Sequence, residues 1–221
     1  MCNSDCWYIN VCDKRTEGCE KLCPKFLEMS YMMENSRIPK NKRKPLPLEP
    51  SECDYEAFMR LAEIKSNIQE FVEEGKNLYI TSSRVGNGKT SWALKLLMKY
   101  FEAVWEGNGF RPRGVIVHVP TFLMKCKDFK TVDREFEELR KVLLTIELGV
   151  WDDIACNTMT EYDYSQLLMH LDARDFSGLA NIFTGNIPNK DSLENILGAK
   201  LTSRIWNSKT EVIEFHGRER R

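Results

Sequence analysis

The run Gly86-Asn87-Gly88-Lys89-Thr90 stands between a short apolar strand and an apolar-periodic helix, and it constrains the chain more than any other feature. Glycines at a strand-to-helix junction let backbone N–H groups turn inward around an anion. The helix that follows adds the positive end of its dipole. A lysine opening that helix reaches the outer phosphates of a nucleotide, and the hydroxyl after it is a magnesium ligand. On this reading Gly86, Asn87, Gly88, Lys89, Thr90 and Ser91 cradle the phosphates of ATP with Mg²⁺. The full pattern G-x-x-x-x-G-K-[ST] begins with Gly, where this chain has Ser83.

Such a site needs a carboxylate on its metal side. Val150-Trp151-Asp152-Asp153 ends an apolar strand with two acids, and ligands of open α/β sheets sit at the carboxyl ends of strands. Asp152 is expected to hold Mg²⁺ through water. Asp153 is expected to polarise the attacking water as general base. Asp is one methylene shorter than Glu, so slow hydrolysis is expected. After the next strand, Thr184-Gly185-Asn186 offers a polar side chain that would sit beside the γ-phosphate and position water. Arg204 is a candidate arginine finger for a neighbour's nucleotide, with a surface helix arginine as the alternative. Arg174 reads as a structural ion pair as readily as a functional contact. His118, His170 and His216 stand isolated and suggest neither metal nor triad chemistry.

Strand-like segments at 77–80, 114–119, 148–151, 179–184 and 211–215 alternate with helical spacing at 58–72, 90–105, 133–143 and 162–173. Alternation of this kind predicts an α/β fold, a parallel sheet covered on both faces. The signs of charge nearly cancel, to a net −1, which excludes a global pull toward nucleic acid. No apolar run approaches the roughly 20 residues that span a bilayer. The N-terminus lacks a signal-peptide pattern, so a reducing cytoplasm is the expected setting and no membrane is expected as a partner.

Five of the eight cysteines fall in the first 23 residues. In a reducing compartment such a cluster favours metal over a disulfide. Cys6, Cys12, Cys19 and Cys23 are the preferred ligands of one structural, tetrahedral Zn²⁺, and Cys2 stands as a substitute for one of them. The chain thus divides into a cysteine-rich zinc module at 1–35, a basic Pro-rich linker at 36–53 and an ATPase domain at 54–221. The basic residues Arg37 to Lys44 suit either phosphate contact or a solvated hinge.

Taken in order, these motifs resemble the DnaC-type helicase loaders, in particular the short DnaC-like replication proteins of phages, and more distantly the IstB-like transposition ATPases. The resemblance rests on Cys6 to Cys23, Tyr31 to Pro39, Gly86 to Thr90, Trp151-Asp152-Asp153-Ile154, Ile182 to Asn186, Leu201 to Ile205 and Gly217 to Arg221. It implies a P-loop AAA+ fold, a three-layer parallel sheet without the C-terminal helical lid. It implies Walker A at Lys89 and Thr90, Walker B at Asp152 and Asp153, sensor 1 at Asn186 and the finger at Arg204. It further implies a hexameric replicative helicase and single-stranded DNA as partners, self-association through ATPase domains, and work in a bacterial host's cytoplasm. The chain departs from the family at Ser83 and at Gly185, where Ser is usual. A transposition ATPase acting on duplex DNA, or a zinc-dependent adaptor with a non-catalytic nucleotide switch, are the competing readings.

Overall fold

Strand side chains alternate between two buried faces, and this alternation builds the core. The computed structural model describes residues 23–43, 48–104, 109–128, 133–155 and 159–217. Its strands are β1 (Asn77–Thr81), β2 (Gly114–His118), β3 (Leu148–Ile154), β4 (Ala180–Gly185) and β5 (Thr210–Glu214). They form one parallel sheet in the order β2-β3-β4-β1-β5. Leu78, Ile80, Val150, Ile182 and Ile213 face helices α1 (Pro24–Asn35), α2 (Tyr55–Ser66), α3 (Ile68–Glu73) and α4 (Lys89–Ala103). Tyr79, Val115, Val117, Trp151 and Phe183 face α5 (Val119–Cys126), α6 (Arg134–Leu143), α7 (Glu161–Phe176) and α8 (Lys190–Ile205). The expected three-layer α/β architecture is therefore present. Among the described residues no helix is long and apolar enough to cross a membrane.

Several local expectations differ. The helix expected over 58–72 breaks at Asn67, whose φ of −109° and ψ of 27° separate α2 from α3. Helix α5 starts at Val119, which the β-branched run had suggested was strand; Pro120, in its first turn, favours a helix start. Strand β3 does not stop at Trp151 but continues through both acids to Ile154. The proline-rich stretch contains two short 3₁₀ turns, Lys40–Lys42 and Glu52–Asp54. Cys6, Cys12 and Cys19 lie outside the described residues. Cys23 precedes α1 as a free, half-buried thiol, and the described residues contain no group of three or more metal-ligating side chains.

Helix α1 is seated in the core. Its Met29, Met32 and Met33 are buried with residues of α4, against which it packs. The Ser36 carbonyl accepts the Ile116 N–H at 2.9 Å, so the chain after α1 covers the outer edge of β2. Arg37 donates to the side chain and the carbonyl of Glu135, each at 3.1 Å.

His170 on α7 is 1% exposed and packs edge-on against Phe122. Its Nδ1 lies 2.8 Å from the Gln166 carbonyl, which only an Nδ1–H can satisfy, and its Nε2 has no partner. Burial pulls its pKa below the usual 6.5; the bond to Gln166 opposes this, and Arg140 and Arg174 add to it. The unfolded chain therefore binds the proton more readily. Stability from neutral His170 is present above pH 6.5 and is lost as pH falls through the folded value. Acid titration of the melting temperature is expected to decline below pH 6.5, and His170→Phe to flatten part of that decline.

Candidate functional site

The phosphate cradle forms where β1 meets α4. Gly86 and Gly88 adopt φ of 76° and 100°, a left-handed backbone that favours glycine. Ser83 is exposed and is not among the positive-φ residues, so its place in the loop does not require the glycine of the usual pattern. Asn87 is buried and stiffens the loop, donating to Ser82 Oγ at 2.5 Å, while the Arg84 N–H donates to the same oxygen at 3.0 Å. The Lys89 ammonium donates to the Arg84 carbonyl at 2.8 Å and to Asn87 Oδ1 at 3.1 Å. Burial holds its pKa below the usual lysine value, and Asp153 and Asp152 partly offset this. A buried cation at the N-terminus of a helix, behind a glycine-rich turn, is a site suited to anionic oxygen. Ser91 follows in the first turn of α4, half-buried.

The two acids are aimed by an irregularity in the sheet. Consecutive residues of a regular strand point to opposite faces. Between Trp151 and Ile154 the β3–β4 register shifts, and Asp153 takes φ of 62° and Ala155 φ of 65°. Such a bulge re-aims side chains at a strand end. Asp152 Oδ1 accepts the hydroxyls of Thr90 and Thr184, each at 2.7 Å. Thr184 Oγ1 also accepts the Asp153 N–H at 2.9 Å, filling the bulge. Asn186 Nδ2 lies 3.5 Å from Asp153 Oδ1, and His118 Nε2 lies 4.0 Å from Asp153 Oδ2.

The structure thus brings Lys89, Thr90, Asp152, Asp153 and Asn186 together. The hard oxygen donors of Thr90 and Asp152 match the preference of Mg²⁺, and the glycine-lined loop fits phosphate, so the site suits ATP with Mg²⁺. The sequence reading missed the hold of Thr184 on Asp152 and the place of His118. Thr184 is the hinge of the constellation, and the threonine at the end of an apolar strand, one strand after the acids, was its only signal. His118, set aside as isolated, is register-paired with Asp152 across β2 and β3. Gly185, the second departure from the loader pattern, has a steric cause. A Cβ there would stand 2.6 Å from the Tyr79 hydroxyl and 3.1 Å from the Ile154 carbonyl.

Thr184→Val is expected to lower ATP turnover about 10- to 100-fold, the usual range for partners that orient a metal-site carboxylate, with ATP affinity little changed. Steady-state kinetics beside nucleotide titration would check this. Wild-type turnover would mean that Thr90 alone holds Asp152.

Arg204 does not join this site. Its Nε donates to Asp172 Oδ1 at 2.5 Å, and its carbonyl accepts Asn77 Nδ2 at 3.2 Å, at the opposite end of β1 from the loop. Among the described residues Arg174 has no acidic partner. It is fully buried, and its guanidinium donates to Asn181 Oδ1 and to the carbonyls of Leu143, Ile146 and Ala180 at 2.6 to 3.0 Å.

The sequence matches no family model and no curated protein. Its similarity to solved structures lies in the fold. The DnaC helicase loader superposes with a TM-score of 0.63 at 18% identity, over 80% of this chain and 99% of that one. DnaI gives 0.61 at 22% identity, over 84% and 95%. The replication initiator DnaA bound to AMPPCP and single-stranded DNA gives 0.57 at 16% identity, over 88% of this chain and 53% of that one. With its strand order, its glycine loop after β1 and its paired acids on β3, this chain has the parallel α/β fold of the DnaC-type helicase loaders and of DnaA.

Proposed function

We propose that this chain is an ATP-binding and ATP-hydrolysing DNA replication protein that loads a replicative ring helicase onto single-stranded DNA. The observation that carries the nucleotide chemistry is the convergence of the Thr90 and Thr184 hydroxyls on Asp152 beside Lys89. The loader role is supported by the likeness in fold to DnaC and DnaI over nearly their whole length.

Lys89 and the loop amides bind the β- and γ-phosphates. Thr90 and Asp152 would hold Mg²⁺, which neutralises charge on the transferring phosphoryl group when bound. Asp153 takes a proton from the attacking water, and Asn186 orients that water. Asp153 is short for this task, and its left-handed backbone is fixed by the Thr184 hydroxyl, which favours slow turnover suited to a switch. Arg204 would complete the site of a neighbouring copy. Cys6, Cys12, Cys19 and Cys23 would bind one Zn²⁺ in a module that engages the helicase.

The test is co-elution of the full chain with its host's hexameric replicative helicase, with and without ATP, beside a chain lacking residues 1–22. A joint peak that needs residues 1–22, together with one zinc per chain by metal analysis, is the expected result. Separate peaks under every condition would remove the loader role and favour an IstB-like ATPase acting on duplex DNA. A metal-free, folded N-terminus would remove the zinc assignment.

A further inference from the structure

We infer that Asp172 is a positioning residue for Arg204, fixing the guanidinium plane so that its outer nitrogens face the nucleotide site of a second copy of this chain. The inference rests on the reading of Arg204 as an arginine finger. Arg204 is tied to Asn77, the first residue of β1, while the phosphate loop follows Thr81, the last. Four residue steps of strand span about 13 Å, which puts the chain's own nucleotide out of reach. Any phosphate that Arg204 meets belongs to another molecule.

The grip on Arg204 is one-sided. Nε donates to Asp172 Oδ1 at 2.5 Å, and Asp175 Oδ2 lies 3.7 Å from the same nitrogen. Both acids sit on α7, which packs beside α8. Nη1 has only a 3.5 Å contact with Ser203 Oγ, and Nη2 has no hydrogen-bond partner among the described residues. A guanidinium is a rigid planar fork. Held at Nε, it keeps its orientation and leaves the Nη edge for bidentate bonds to phosphate oxygens. An untethered arginine would have to give up rotamer freedom on meeting its target; Asp172 removes much of that cost beforehand.

The surroundings match an interface with a second copy. Met169, Asp172 and Phe176 fall on one face of α7, with Met169 45% and Phe176 95% exposed. Phe, Met and Arg are the residue types that contact surfaces concentrate.

The experiment measures ATP turnover against protein concentration for the full-length wild type, Arg204→Ala, Asp172→Asn, Asp172→Glu and the double variant. ATP affinity and melting temperature are followed in parallel. Asp172→Asn is expected to lower kcat on the order of tenfold, as misorientation of a catalytic group does, with ATP affinity and melting temperature unchanged. Asp172→Glu recovers much of the rate, and the double variant is no slower than Arg204→Ala alone. Mixing Lys89→Ala chains, which keep Arg204, with Arg204→Ala chains restores turnover; adding Asp172→Asn to the Lys89→Ala chains removes that rescue. Wild-type turnover in Asp172→Asn, with Arg204→Ala inactive, overturns the role of Asp172 and leaves the finger standing. Wild-type turnover in Arg204→Ala, or turnover per chain that does not rise with concentration, overturns both.

Discussion

Replacing Lys89 with alanine is expected to abolish turnover and ATP-dependent stabilisation while leaving the nucleotide-free fold intact. Lys89 is buried, and its ammonium donates to the Arg84 carbonyl and Asn87 Oδ1, groups that phosphate oxygens would displace. Hydrogen bonds to charged groups contribute about 1.5–3 kcal/mol each. Losing two of them weakens ATP affinity by about a hundredfold or more. In the nucleotide-free protein the same charge is disfavoured by burial, so its removal costs the fold little. Thermal shift separates the two effects. Ligand at about 100 times its Kd stabilises a wild-type site by about 2.7 kcal/mol, and the variant should show almost none of that shift. ATP affinity equal to wild type would end the assignment of the glycine loop as the phosphate cradle.

Arg174→Met should do the opposite: destroy stability without bearing on nucleotide chemistry. The Arg174 side chain fills space against Gly149, whose absent Cβ would lie 3.0 Å from the guanidinium carbon. It binds the ends of α6 and β4 together through three carbonyls and Asn181. Burial pulls its pKa down to about 9, which leaves it charged at neutral pH. Taking away the donor strands buried carbonyl and amide acceptors, each left unsatisfied at a cost of about 1–3 kcal/mol. For a chain of this size that lowers the melting temperature by on the order of 10 °C. Arg174→Lys should rescue little, because a single ammonium cannot reproduce the planar fork. A loss of only a degree or two would show that water replaces the guanidinium.

What was legible in the sequence is what chemistry demands locally. A phosphate loop needs its glycines, lysine and threonine contiguous, so Gly86 to Thr90 declare themselves. Asp152 and Asp153 are visible because an apolar strand leads into them. Thr184 is legible only as part of the polar point with Asn186; its hold on Asp152 is not, because it arises through a bulge that sets two residues of β3 against one of β4. His118 looked isolated because register, not sequence distance, decides that it neighbours Asp152. Helix α5 was hidden because Val119 continues a β-branched run, and local propensity is weak where the chain turns from strand to helix. Arg174 offered its charge to the reader and not its burial; a guanidinium satisfied by carbonyls leaves no acidic partner to find.

The seat of α1 changes how force can enter the molecule. A helix of 12 residues is a strut about 18 Å long, and this one begins immediately after Cys23 and lies against α4. The other end of that contact is the helix whose first residue is Lys89. A pull applied at Cys23 therefore meets α4 with only α1 in between. It arrives as leverage, through buried methionines, on the helix that carries Lys89.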